Sequence, residues 1–207
     1  MKIKIYQIDA LTDKIFHGNP AAVCPLDYWL DDKILQKIAA ENNLSETAFF
    51  VKENNHFQIR WMTPLEEVTL CGHATLASAF IIFNFLNYKE KIVKFKSKSG
   101  DLTVQKKDDY LILNFPANIP KRINIPKKLV NILKKEPNEV LFNESYVVVY
   151  RSEEDIYSIN PDFSKLSEIK HYVIITAPGK KVDFISRFFA PTVGVNEDPY
   201  LLDIHNS

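Results

Sequence analysis

Three places in this 207-residue chain hold side chains able to do chemistry. Glu46 lies in Leu44-Ser45-Glu46-Thr47-Ala48-Phe49-Phe50-Val51, where a carboxylate borders a strongly apolar run. If it faces water it is a solvated loop residue or local cap, the commoner fate of a glutamate. If it faces a dry pocket, lost solvation disfavours its charge and makes it a proton carrier near neutral pH. His73 follows Cys71-Gly72 at the start of an apolar segment. Beside a helix N-terminus its neutral form is favoured, and it reads either as a structural hydrogen-bonder or as a catalytic group. Asn19, in Gly18-Asn19-Pro20, reads either as a turn residue or as a substrate hydrogen-bonder at a cleft edge.

The element that must position these groups is the stretch 59–87, expected as strand, tight turn and helix. From residue 74 to 86 almost every side chain is small or apolar, which predicts a helix buried on nearly all sides and too short to span a bilayer. Gly72 in the turn permits close backbone approach, and the helix opening at Ala74-Thr75 points unpaired N–H groups outward, where a carboxylate would sit. Ahead of it, residues 2–9 alternate as a half-buried strand with Ile3, Ile5 and Gln7 on one face, and 21–24 form a second strand. Residues 31–42 carry an apolar stripe and an Asp31 or Asp32 cap, a surface helix. After the buried helix, 91–97, 102–106 and 110–115 predict an antiparallel meander closing a first domain at 1–116. A proline-spaced linker, 117–126, precedes a second domain, 127–207, which contains no second all-apolar helix.

Composition excludes several function classes. Lys+Arg and Asp+Glu stand at 26 each, leaving no excess charge for a nucleic acid or an anionic membrane. Arginine occurs only at 60, 122, 151 and 187, so planar bidentate anion recognition is scarce. Cys24 and Cys71 make neither a disulfide framework nor a metal-ligand spacing, and the N-terminus reads as a strand, so a cytoplasmic protein with reduced thiols is expected. A Cys71–His73 hydrolase is disfavoured, because residues two apart across a turn seldom aim at each other and no orienting third group is apparent.

The segments FHGNPAAVC, ENNLSETAFF, RWMTPLEEVTLCGHATLASA and SRFFAPTVGVNEDP, in this order, resemble the phenazine-biosynthesis isomerase family, of the diaminopimelate epimerase fold. The resemblance runs from the first strand to Pro199. It implies an α+β protein of two domains, each a curved, mainly antiparallel sheet around a central helix. It places the family's proton-shuttling glutamate at Glu46, with Ser45 beside it, and its Gly-His pair at Gly72 and His73, followed by Ala74 and Thr75. Its second-domain aspartate falls on Asp198 and its substrate-side asparagine on Asn19. Glu46, His73 and Asp198 are thus the expected catalytic residues, and Asn19, Ser45, Gly72, Ala74 and Thr75 the expected substrate-binding ones.

The implied activity is a cofactor-independent, metal-independent isomerisation of a small carboxylate-bearing metabolite, with a homodimer among the assemblies open to the chain. Related epimerases use two thiols; Cys71 matches one, but no cysteine follows it, so a two-thiol racemase is not expected and Cys71 reads as a small buried residue. After Asp198-Pro199 the family continues into a Thr-Gly-Ser-Ala-like turn and a second central helix, whereas here Tyr200 to Ser207 follows. The second domain is therefore expected to be incomplete, with an apolar inner sheet face, and a truncated, inactive remnant that binds or dimerises is the competing expectation.

Overall fold

The computed structural model describes residues 2–14 and 16–198. The chain divides into two compact units, Met1–Pro116 and Ala117–Ser207. Among the described residues, no helix is long and apolar enough to cross a membrane.

In the first unit, β1 (Tyr6–Ala10), β2 (Asn19–Leu26), α1 (Asp32–Asn42), β3 (Glu46–Glu53), β4 (His56–Met62), β5 (Glu67–Val68), α2 (Gly72–Phe85), β6 (Ile92–Ser97), β7 (Gly100–Lys107) and β8 (Tyr110–Asn114) follow one another. They build a sheet in the order β1-β2-β3-β4-β6-β7-β8, with β5 added beside β4. Most neighbours are antiparallel, but β2/β3 and β4/β6 are parallel. Parallel neighbours need a crossover, and the two crossovers are α1 and α2. Side chains alternate along each strand, and β2 and β3 are buried on both faces over most of their length, whereas β6 exposes every second side chain. Val23, Ala48, Phe50 and Trp61 pack with α2, while Cys24, Phe49 and Met62 pack with Leu35 and Ala39 of α1.

Asp31 caps α1 by accepting from the Lys33 N–H, and Asn43 ends the helix in the left-handed region at φ 51°. Helix α2 is buried through its first turns, including Ala74, Ala77, Ile81 and Ile82, but Phe80 and Phe85 near its C-terminus are exposed. The expected burial on all sides therefore holds for its N-terminal part only. Thr75 and Ser78 satisfy their hydroxyls inside this apolar rod by donating to the Cys71 and Ala74 carbonyls, so neither leaves a polar group stranded.

The first strand departs from the sequence reading. Tyr6, Ile8 and Ala10 face the core, Ile5 is exposed, and Ile3 joins the α1 cluster. Two isoleucines and two lysines in alternation suggested the opposite face, but the pairing of Ile8 with Ala21 sets the register from residue 6 onward.

The second unit contains β9 (Lys121–Ile123), α3 (Lys127–Leu133), β10 (Glu139–Phe142), β11 (Tyr146–Val149), α4 (Glu153–Ser158), α5 (Phe163–Ser167), β12 (Val173–Pro178), β13 (Phe184–Ala190), a 3₁₀ turn (Pro191–Val193) and β14 (Val195–Asp198). The sheet order is β14-β13-β12-β11-β10-β9. Residues 121–123, expected within a linker, form an edge strand against β10. Helices α3, α4 and α5 all contribute to one core with Val140, Val148, Val173, Ile175 and Phe189. Leu141, Val147, Ile174 and Phe188 pair in a row across the alternate face, each half-buried. Arg187 fastens this unit, gripping Glu197 through two nitrogens and donating to the Ile156 and Ile159 carbonyls at the end of α4.

Candidate active site

Glu46 is the first residue of β3, directly opposite Ala21 of β2. The two-residue period puts positions 46, 48 and 50 on the α2 face, where Ala48 and Phe50 join the α2 core. Thr47 and Phe49 take the α1 face, with Thr47 Oγ1 accepting from Asn42 Nδ2 at 3.2 Å. By the same count along β2, Asn19 shares the α2 face with Ala21 and Val23, and it is 2% exposed. The Glu46 side chain, expected either in solvent or facing a dry pocket, turns to the α2 face and is 14% exposed.

Helix α2 begins at Gly72, with Cys71 as an extended N-cap (φ −149°, ψ 118°) whose side chain makes no capping hydrogen bond. The helix thus starts two residues earlier than expected, which places His73 in its first turn. Gly72 is helical rather than left-handed, and a Cβ there would lie 3.4 Å from the Phe115 ring, so that ring occupies the space glycine leaves. The approach to α2 is pinned from outside. Arg60 holds Glu67 through two hydrogen bonds of 2.9 and 2.8 Å, Lys98 adds a third at 2.6 Å, and Ser99 donates to the Thr69 carbonyl. Two carboxylates and the Trp29 ring in turn fix the Arg60 guanidinium.

His73 stands between the other two reactive groups. Its Nε2 lies 3.4 Å from Glu46 Oε2, and its Nδ1 lies 3.6 Å from Cys71 Sγ. The Glu46 approach falls short of a hydrogen bond, and Nε2 has no hydrogen-bond partner among the described residues. Burial pulls the imidazole down to a pKa of about 4, because lost solvation penalises its charged form. At neutral pH the ring carries one N–H, and its tautomer is coupled to Glu46. A carboxylate is best met by Nε2–H, a carboxylic acid by a bare Nε2.

The reading that Cys71 and His73 point apart is corrected: an extended N-cap followed by a helical first turn brings both side chains to one end of α2. Cys71 is buried, as expected, but it touches the site. No local pattern in the sequence signalled this, since the contact depends on where the helix begins. Ser45 is half-buried in the bend before β3. Ala74 and Thr75 are fully buried; the Thr75 hydroxyl is committed to the Cys71 carbonyl, and with Cys71 as N-cap its N–H is the first intrahelical donor, so of the two only the Ala74 backbone N–H is left for a ligand and the expected role of Thr75 is corrected. Asp198 ends β14, opposite Phe188 in the second unit. Pro199 and the segment beyond it lie outside the described residues.

A carboxylate and a neutral imidazole gathered at the head of an apolar helix, on the inner face of a curled sheet, define a protein of the diaminopimelate epimerase-like fold. The chain belongs to the phenazine biosynthesis-like protein family, whose pattern it matches over residues 8–200. It is 46% identical over 208 residues to an uncharacterized isomerase of Pseudomonas aeruginosa, a match covering all of this chain and 80% of that protein. The structure of a PhzF-family phenazine biosynthesis protein from Enterococcus faecalis superposes with a TM-score of 0.87 at 44% identity, covering 97% of this chain and 78% of that one. A hydroxyproline epimerase from Agrobacterium vitis, at 9% identity and a TM-score of 0.57 over 95% of this chain and 72% of its own, shares the fold alone.

Proposed function

We propose that the chain is an isomerase that shifts a proton between carbons of a small carboxylate-bearing metabolite without a cofactor. The observation that carries the reading is the 3.4 Å approach of Glu46 to a buried His73 at the start of α2. The first N–H groups of a helix have no intrahelical acceptor, and the Cys71 side chain does not cap them. They suit a substrate carboxylate, which the helix dipole also favours.

With the substrate so held, the Glu46 carboxylate removes a proton from a carbon next to the carboxylate or carbonyl. The electron pair moves onto the substrate oxygen as an enolate, and the Glu46 carboxylic acid returns the proton to another carbon of the same conjugated system. One base on one face suffices for a 1,3-shift, and the substrate's own carbonyl system takes the electrons. His73 exchanges tautomers as Glu46 gains and loses its proton, and Asn19 donates to a substrate oxygen. Asp198 enters by family resemblance, as a group that positions or polarises the substrate.

The test is wash-in of deuterium from D₂O into candidate unsaturated and hydroxylated carboxylic acids, followed by mass spectrometry. Glu46→Gln keeps the shape and removes the base, and should cut exchange by roughly 10²- to 10⁴-fold. Exchange that persists unchanged in this variant would remove Glu46 from the mechanism.

A further inference from the structure

The two nitrogens of the His73 ring face opposite ways, and each meets a different side chain. Nε2 lies 3.4 Å from Glu46 Oε2, and Nδ1 lies 3.6 Å from Cys71 Sγ. We propose that Cys71 is a positioning residue that fixes the tautomer of His73, its thiol donating to Nδ1 so that the single imidazole proton stands on Nε2, against the Glu46 carboxylate. The effect on rate rests on the proton transfer put forward above; the tautomer itself does not.

Hydrogen bonding is the first argument. In a neutral imidazole, the bond made by one nitrogen decides whether the other carries the proton. The approach to Glu46 falls short of a hydrogen bond, so among the described residues the contact with Cys71 is the hydrogen bond that the ring makes. A thiol can donate to a bare Nδ1 or accept from Nδ1–H, and Glu46 decides between the two. With the proton on Nδ1, the lone pair of Nε2 would face a carboxylate oxygen 3.4 Å away. With the proton on Nε2, the same oxygen meets an N–H. Poor solvation strengthens both the attraction and the repulsion, so the second arrangement wins.

Burial is the second argument. Cys71 and His73 are each 7% exposed, so little water reaches Nδ1 to stand in for the thiol. Burial also keeps the ring neutral, so it does not strip the thiol to an imidazolium–thiolate pair. Local geometry is the third. An N-cap side chain ordinarily accepts from the first helical N–H groups, whereas that of Cys71 does not, and its sulfur lies against the ring two residues on. The resting site thus presents Nε2–H to Glu46 and favours its carboxylate, the form that acts as a base. When the ring holds its proton on Nδ1, sulfur becomes the acceptor, so one contact serves both tautomers.

The experiment uses the full chain, reduced and labelled with ¹⁵N-histidine, at neutral pH. Long-range ¹H–¹⁵N correlation spectra report which nitrogen is protonated, and His73→Gln assigns the signals. The expected result is a protonated Nε2 and a bare, hydrogen-bonded Nδ1. In Cys71→Ala the Nδ1 resonance should move to the position of an unbonded nitrogen, or to that of a protonated one. Cys71→Ser, whose hydroxyl can still donate, should keep the original pattern. In deuterium wash-in, Cys71→Ala should lower kcat roughly tenfold, the worth of one hydrogen bond, with KM little changed, and Cys71→Ser should recover most of the loss. A bare Nε2 in the unaltered protein overturns the proposal, as does a Cys71→Ala variant with an unchanged Nδ1 resonance or an unchanged kcat. The first of these needs no variant, so the proposal can fail even if Cys71→Ala does not fold. If the unaltered protein exchanges no deuterium into any acid, the isomerase reading fails while the spectra still decide the tautomer.

Discussion

Protonation of His73 sets a pH dependence on the stability of the first unit. In an unfolded chain an imidazole titrates near 6.5, whereas burial holds His73 neutral down to about 4. Above 6.5 neither state binds the proton and the full contribution to stability is present. Between 6.5 and about 4 the unfolded chain binds the proton and the folded chain refuses it, so stability falls with pH; below about 4 the loss is complete. A separation of this size corresponds to about 3 kcal/mol. Among the described residues, Glu46 from β3 and Cys71 from the N-cap are titratable groups that face the ring. An ionised Glu46 opposes burial by attracting an imidazolium, so the measured value also reports the charge on Glu46. Urea unfolding, followed through the buried Trp61, should show a midpoint that drops across this window. His73→Gln should remove about 3 kcal/mol of that pH dependence, and the His73 ring resonances should titrate well below 6.5. A ring that titrates at or above 6.5 would refute the neutral-imidazole reading and make the contact an imidazolium–carboxylate pair.

Other outcomes follow from the elements that frame the site. Arg60→Ala leaves the mostly buried Glu67 with Lys98 as its charged partner and should cost about 1–3 kcal/mol by chemical denaturation, more than an exposed ion pair returns. The Arg60 hydrogen bond chiefly holds the Glu67 carboxyl below its usual range, so its stabilisation is present above that range and lost as pH falls through the lowered value. The variant should show a correspondingly shallower loss in acid. Gly72→Ala places a methyl 3.4 Å from the Phe115 ring and should fold normally, while the branched Gly72→Val should displace the ring and lower the melting temperature. Ile82→Ala, in the fully buried part of α2, should cost about 2–5 kcal/mol in the same measurement.

The sequence by itself determined the local framework. The run from Ala74 onward has no polar face to offer water, so a buried helix was legible, as were the surface helix capped by Asp31 and the meander after residue 91. The four ordered motifs also carried the family and its fold, because side-chain identity in sequence is what such a likeness compares. Tertiary structure decided everything that turns on register. Whether Glu46 meets water or His73 depends on the pairing of β3 with β2, since a one-residue slip would send it to the α1 face. The same pairing logic overrode the apparent polarity of the first strand and drew residues 121–123 from a supposed linker into a sheet edge. The Cys71–His73 contact depends on a helix that opens at Gly72, a boundary that two residues of local sequence could not place. Groups 25 or more residues apart, such as Glu46 and Cys71, become neighbours only when strand pairing and helix packing close the loop between them, and periodicity along the chain carries no record of that distance.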